Sequence, residues 1–213
     1  MKKIPTLFVR NYTTGFVVPE ITPGCEWVME EPWPVHRKYN GTCVGLFPTV
    51  HGEVRINEGI RSDEISSPDQ IGEQWMARRE VKQGHEFPNG FEIEQFDPTT
   101  KKTFGWEPVE QSPFYDIFLE AEDYLEKRYF GTYELCGPRI NRNPENYKKH
   151  TLVHHRCTEQ ISNVQVLDIH EMSVEDAYEA LKATFEYMPI EGVVWYGMTH
   201  GMAKLKRKDF KYE

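Results

Sequence analysis

Pro189-Ile190-Glu191-Gly192-Val193-Val194-Trp195-Tyr196, with Met202-Ala203-Lys204-Leu205-Lys206 close behind, is the stretch that decides the fold class. Pro189 ends a helix, since its ring removes an N–H and clashes with the preceding turn. That helix starts at Ser173-Val174-Glu175-Asp176, a capping-box-like run, and carries Val174, Ala177, Leu181 and Phe185 on one face. The chain then passes through Glu191 into two strands, Gly192 to Tyr196 and Met202 to Lys206, with no helix between them. Working outward, Leu7-Phe8-Val9, Cys43 to Phe47, Phe91 to Phe96, Gly131 to Cys136 and Val164 to Ile169 also read as strands. A second helix is expected where Ser112 offers an N-cap and Pro113 a first helical residue. Its apolar face is Phe114, Ile117, Phe118, Ala121 and Leu125. Many strands and few helices, out of strict alternation, predict an α+β fold of antiparallel sheets flanked by helices, not a doubly wound parallel sheet. Ile60 to Ile71, rich in Ser, Asp and Pro, reads as an exposed loop. No composition break marks a second domain, so residues 1–213 are read as one domain.

An apolar share of 38% with 13% aromatics is enough for a globular interior. No apolar run approaches the roughly 18 residues of a membrane span, and Met1-Lys2-Lys3-Ile4-Pro5 opens no signal peptide. A cytoplasmic protein is expected, with no membrane association and no obligate protein partner evident. The net charge of -9 argues against a protein that coats nucleic acid nonspecifically. Base nevertheless collects locally, at Arg78-Arg79, Arg139 and Arg142, Lys148-Lys149 and Lys204 to Lys211, and local field decides phosphate binding. Cys25, Cys43, Cys136 and Cys157 form no CxxC pair, so reduced, mostly buried thiols are expected. His154-His155 with Cys157 lacks both a zinc-ligand spacing and a fourth ligand.

Lys38-Tyr39-Asn40-Gly41 sets a lysine at the end of an apparent strand, before a glycine that lets backbone approach a ligand. By itself the pattern more often marks a solvated surface lysine. A nucleophilic lysine must be neutral, whereas its ordinary pKa is about 10.4. Neighbouring cations or desolvation bring it down. Lys204 and Lys206, two apart on a strand, share a face and would supply that field while neutralising phosphates. Glu191, at the mouth of a buried strand, is a hard oxygen ligand suited to magnesium. Arg78 and Arg79, adjacent on a strand, face opposite ways, so one is expected at the site and the other in a surface ion pair. Arg139, Arg142, Lys148 and Lys149 read equally as an RNA-phosphate track or as a solvated basic loop.

Lys38-Tyr39-Asn40-Gly41, Tyr133-Glu134-Leu135-Cys136-Gly137, Glu191-Gly192-Val193-Val194 and Lys204-Leu205-Lys206 resemble, in order, motifs I, III, IV and V of the covalent nucleotidyltransferases, the polynucleotide ligases and mRNA capping enzymes. More narrowly, Arg37 to Cys43, Arg78 to Lys82, Gly131 to Asn143 and Pro189 to Phe210 resemble a small RNA ligase family of bacteria and phages, to which a vertebrate 5′-to-3′ RNA ligase is distantly related. The resemblance implies a nucleotidyltransferase (ATP-grasp-like) domain without an OB-fold. It further implies an ATP-dependent RNA ligase that uses Mg2+, with Mn2+ able to substitute, and that joins RNA 5′-phosphate to 3′-hydroxyl ends through an adenylate on Lys38. Nucleotide contacts are implied for Arg37, Asn40, Gly41, Arg78, Arg79, Glu134, Glu191, Lys204 and Lys206, and metal contacts for Glu191 and Glu134. Glu134 would bind a ribose hydroxyl or lie near the metal.

Two departures stand out. Asn40 replaces the aspartate common in DNA ligases and capping enzymes, and Val164 to Ile169 lacks the aromatic that many relatives stack on the purine. A chain ending soon after Lys206 is expected to leave no room for a C-terminal OB-fold, which speaks against a capping enzyme or a conventional DNA ligase. The rival expectations are an adenylyltransferase with a non-RNA acceptor and a non-catalytic nucleotide- or RNA-binding module.

Overall fold

The computed structural model describes residues 3–56, 70–157, 168–197 and 199–212. In chain order the strands are β1 (Phe8–Arg10), β2 (Val17–Ile21), β3 (Val35–Lys38), β4 (Thr42–Val50), β5 (Glu53–Val54), β6 (Ile71–Lys82), β7 (Glu92–Asp97), β8 (Lys102–Pro108), β9 (Gly131–Cys136), β10 (Thr151–His154), β11 (Gly192–Gly197) and β12 (Gly201–Lys206). The helices are α1 (Tyr115–Glu122), between β8 and β9, and α2 (Val174–Tyr187), before β11. The fold is α+β with antiparallel sheets, as the sequence predicts. Among the described residues no helix is long and apolar enough to cross a membrane.

The chain forms two compact units, one spanning Asn40–Cys157 and the other Lys3–Tyr39 with Thr158–Glu213. The first unit holds a seven-stranded sheet in the order β10-β9-β4-β6-β8-β7, with β5 paired to β4. Strand alternation sorts its side chains. Val44, Leu46, Trp75, Ala77, Tyr133 and Leu135 pack with Phe118 and Ala121 of α1. Cys43, Phe47, Met76 and Trp106 form a smaller cluster.

The second unit holds the sheet β12-β11-β3 and the β1–β2 pair. Val35, Val193, Trp195, Ala203 and Leu205 pack with Ala177, Leu181 and Phe185 of α2. Ser173 caps α2 as expected, its Oγ accepting from Asp176 N–H at 3.1 Å. Alternation along β12 buries Ala203 and Leu205 and turns Met202, Lys204 and Lys206 to the other face. Gly192 is required there, because a Cβ would overlap Leu205 O and Lys206 Cα.

Three expectations change. Ser112 is not the N-cap of α1: it follows a 3-10 turn, Val109–Gln111, and is buried, and the helix begins at Tyr115 without a side-chain cap. The cause is an intervening turn in which Tyr115 N–H donates to Ser112 O at 3.2 Å. The apolar face itself stands, with Phe118 and Ala121 buried and Phe114, Ile117 and Leu125 packed beside them. Ile71, expected at the end of a loop, opens β6, while the rest of that loop up to residue 69 lies outside the described residues. The strand expected over Val164 to Ile169 also falls outside them as far as residue 167; Asp168 and Ile169 are not in a strand, and Ile169 is buried in the second unit's core.

Candidate active site

Lys38 ends β3, Gly192 starts β11 and Lys206 ends β12, and the register sets Gly192 opposite both lysines. Glu191, one residue earlier, spans the gap between them. Its Oε2 accepts from Lys38 Nζ at 2.8 Å and its Oε1 from Lys206 Nζ at 2.8 Å. Lys38 Nζ also donates to Tyr39 O at 3.2 Å. Burial pushes the Glu191 carboxyl up, but Lys38 and Lys206 outweigh it and hold the group below the usual carboxylate range.

The next row on this face is His36, Val194 and Lys204, and the one after it Tyr196 and Met202. Burial first, then Lys206 and Lys38, push Lys204 down to about 8, with Asp209 opposing. The His36 and Tyr196 rings meet edge-on at 4.9 Å. Burial raises the Tyr196 phenol, and Lys38 partly offsets it. Among the described residues Glu191 is ion-paired with both Lys38 and Lys206, and Lys204 lies one row further along the face, across Val194 from His36. Such an arrangement attracts a polyanion. Arg37 falls on the face of Val35 and Val193, opposite to Lys38, because strand neighbours alternate, and its guanidinium lies 5.1 Å from the Tyr39 ring centre.

In the first unit, Glu134 stands opposite Cys43 on the sheet face that also carries Arg78. Glu134 Oε1 accepts from Gly41 N–H at 2.9 Å, and Oε2 is 3.1 Å from His155 Nε2, whose Nδ1 is 2.8 Å from Thr132 Oγ1. Gly41 is needed because a Cβ would overlap Leu135 O and Glu134 Cγ. Asn40 is held by Glu145 and Asn141.

Both arginines are ion-paired. Arg78 pairs with Glu94 and sits 5.3 Å from the Trp106 ring centre, its pKa lowered by burial. Arg79, on the face of Trp75 and Ala77, donates to both oxygens of buried Glu107 at 3.0 and 2.9 Å. Arg78 is thus the one that shares a face with Glu134. Arg139 pairs with Glu120, which also binds His150 at 2.6 Å, so it is committed within the fold. Lys149 stacks over the Tyr124 ring at 4.3 Å, while Arg142 and Lys148 are exposed. A cavity of about 290 Å³ lined by Val54, Arg55, Ile56, Glu92, Ile93, Glu94 and Trp106 contains none of the residues expected from sequence.

Among the described residues no cluster of three His, Cys, Asp or Glu forms a ready metal site. The donor chemistry at Glu191 fits a hard cation that arrives on substrate phosphates and takes one protein carboxylate. Both expected carboxylates already have partners, Glu191 in Lys38 and Lys206 and Glu134 in Gly41 and His155. His36, Tyr196, Asn141 and Glu145 were not foreseen, and His155 was considered only as part of a zinc pattern. Period-two counting from Lys38 and from Gly192 would have found His36 and Tyr196, whereas the roles of the other three emerge only from tertiary contacts. The sequence matches no protein-family profile and no curated protein.

Proposed function

We propose that this chain is an ATP-dependent RNA ligase acting through an adenylate on Lys38. The observation that carries the reading is the cluster Lys38–Glu191–Lys206, assembled on one sheet face with Lys204 one row away. In the first step Lys38 Nζ, once deprotonated, forms a bond to the α-phosphorus of ATP. The bond to the bridging oxygen breaks, and pyrophosphate leaves with the electron pair. Next, a 5′-phosphate oxygen of RNA displaces the lysine, giving an RNA-adenylate. Finally, a 3′-hydroxyl oxygen attacks the 5′-phosphorus and AMP leaves. Each step develops charge on phosphoryl oxygens, so positioning and neutralisation do most of the work. Lys204 and Lys206 supply positive charge, and Glu191 holds the Lys38 ammonium until the nucleotide is bound. Magnesium, or manganese in its stead, would supply further neutralisation of the phosphates, with Glu191 as its protein ligand.

RNA as acceptor rests on the family-like runs from Arg37 to Phe210, and Arg142 and Lys148 are exposed cations available to a strand of RNA. A second reading draws on the same site. Lys38 donating to Glu191 is an ammonium, which binds phosphate but does not attack it, and that suits a non-catalytic nucleotide-binding module. Incubation with α-labelled ATP and magnesium separates them. The ligase reading expects covalent label on the wild type, none on Lys38→Ala, and transfer of the label to 5′-phosphorylated RNA. Nucleotide binding without label supports the module. Label that stays on protein when RNA is added points to another acceptor.

A further inference from the structure

Strand β12 ends its sheet, and its outer edge is held by different means along its length. At Lys204 the backbone does it: Lys204 N–H donates to Pro5 O at 3.0 Å, and Leu7 N–H donates to Lys204 O at 2.8 Å. Two residues on, where the Lys206 N–H points to the same edge, a side chain takes over. Asp209 Oδ2 accepts from Lys206 N–H at 2.8 Å, and its Oδ1 accepts from Arg10 Nη2. Asp209 is 2% exposed, and a carboxylate so buried needs both partners to offset its lost hydration. The turn that delivers it, Arg207–Asp209, is anchored at both ends. Arg207 N–H donates to Glu191 O at 2.8 Å, and the buried Phe210 ring packs against Tyr178 and Phe185 of α2.

We infer that Asp209 is a positioning residue for lysine adenylation: by holding Lys206 N–H it fixes the end of β12, from which Lys206 reaches Glu191 and, through it, Lys38. The inference rests on the ligase reading above. Arg10, Lys38, Glu191, Lys206 and Asp209 all belong to the second unit, so the whole chain of contacts lies within one compact body. Asp209 acts through the Lys206 backbone, not on the reacting atoms, and Arg10 balances its charge. Its value is geometric, because a nucleophile misplaced by about 1 Å loses on the order of a hundredfold in rate.

The test is the single-turnover rate of adenylate formation as a function of ATP concentration, with melting curves run alongside. It compares two double variants that both remove the ion pair and strand no charge. Arg10→Met with Asp209→Asn keeps an oxygen for Lys206 N–H, whereas Arg10→Met with Asp209→Leu fills the space and removes the acceptor. The leucine variant is expected to label about tenfold to a hundredfold more slowly at saturating ATP, with the half-saturating ATP concentration changed by less than about twofold. The asparagine variant is expected to label within about threefold of the wild type. Equal rates in the two folded variants would overturn the inference, and so would a loss confined to ATP affinity. A leucine variant that fails to fold where the asparagine variant folds would also overturn it, because Asp209 would then serve the fold and not the placement of Lys206. A wild type that takes no label overturns the ligase reading instead, which keeps the two failures apart.

Discussion

Lys38, Lys204 and Lys206 of the second unit and Arg78 and Arg79 of the first are all partly buried cations, yet their charges are arranged differently. Among the described residues Lys38 and Lys206 both ion-pair with Glu191, and Lys204, one row away, has its pKa lowered by burial and by those two lysines. Arg78 and Arg79 pair with Glu94 and Glu107, one each among the described residues. One-to-one matching offsets desolvation and serves the fold. Lysines crowded together on one sheet face repel one another, which opposes folding and favours a phosphate ligand, a pattern more typical of sites than of scaffolds.

The contrast breaks if the two sets respond alike to loss of a partner. Arg79→Ala strands a buried carboxylate, so a loss of about 2–4 kcal/mol is expected, toward the lower end because Arg79 is partly exposed. Lys206→Ala leaves Glu191 still paired with Lys38, and about 1 kcal/mol is expected. Urea unfolding of the two variants gives the comparison, and equal losses would contradict it.

Lys204 sharpens the same contrast through pH. Its pKa falls from 10.5 to about 8 in the folded chain, so between those values the unfolded chain holds a proton that the folded chain has shed. Stability contributed by this group therefore rises with pH across that window, and the penalty is full below about pH 8. Lys204→Met should gain about 1–3 kcal/mol at pH 7, and that advantage should fade toward pH 10. Affinity for pyrophosphate in the wild type should fall over the same range as Lys204 discharges. An unfolding series that shows a constant gap between wild type and Lys204→Met would remove Lys204 from the charged cluster. The smallest effect belongs to Arg139→Ala: its pair with Glu120 is about half exposed on both sides, and a change below about 0.5 kcal/mol is expected.

How much of this was readable in advance depended on how local the cause was. Ser173 and the apolar face of α2 are set within a few turns of chain, and the alternation Ala203, Lys204, Leu205, Lys206 is set within one strand. These were legible. Strand β6 was read only around Arg78-Arg79, because Glu73, Gln74, Arg78, Arg79 and Glu80 blur the alternation that Trp75, Ala77 and Val81 would show alone. The partners of its arginines come from other strands and carry no local signal. The same holds at the candidate site: Lys38 and Glu191 meet across 153 residues of sequence, and the grip of Asn141 and Glu145 on Asn40-Gly41 spans 100 or more. Residue types could nominate Lys38, Glu191, Lys204 and Lys206, but not pair them. The side of Arg37, by contrast, is local: its place beside Lys38 on β3 puts it on the other face of the strand.

The most direct test of the account is to locate the nucleotide. The protein is incubated with ATP and magnesium, digested, and its peptides searched by mass spectrometry for one that carries AMP. AMP on Lys38, absent from Lys38→Ala and discharged by 5′-phosphorylated RNA, is the predicted result. AMP on Lys204, the lysine with the lowered pKa, or a folded protein that acquires none, would contradict the claim that Lys38 is the nucleophile.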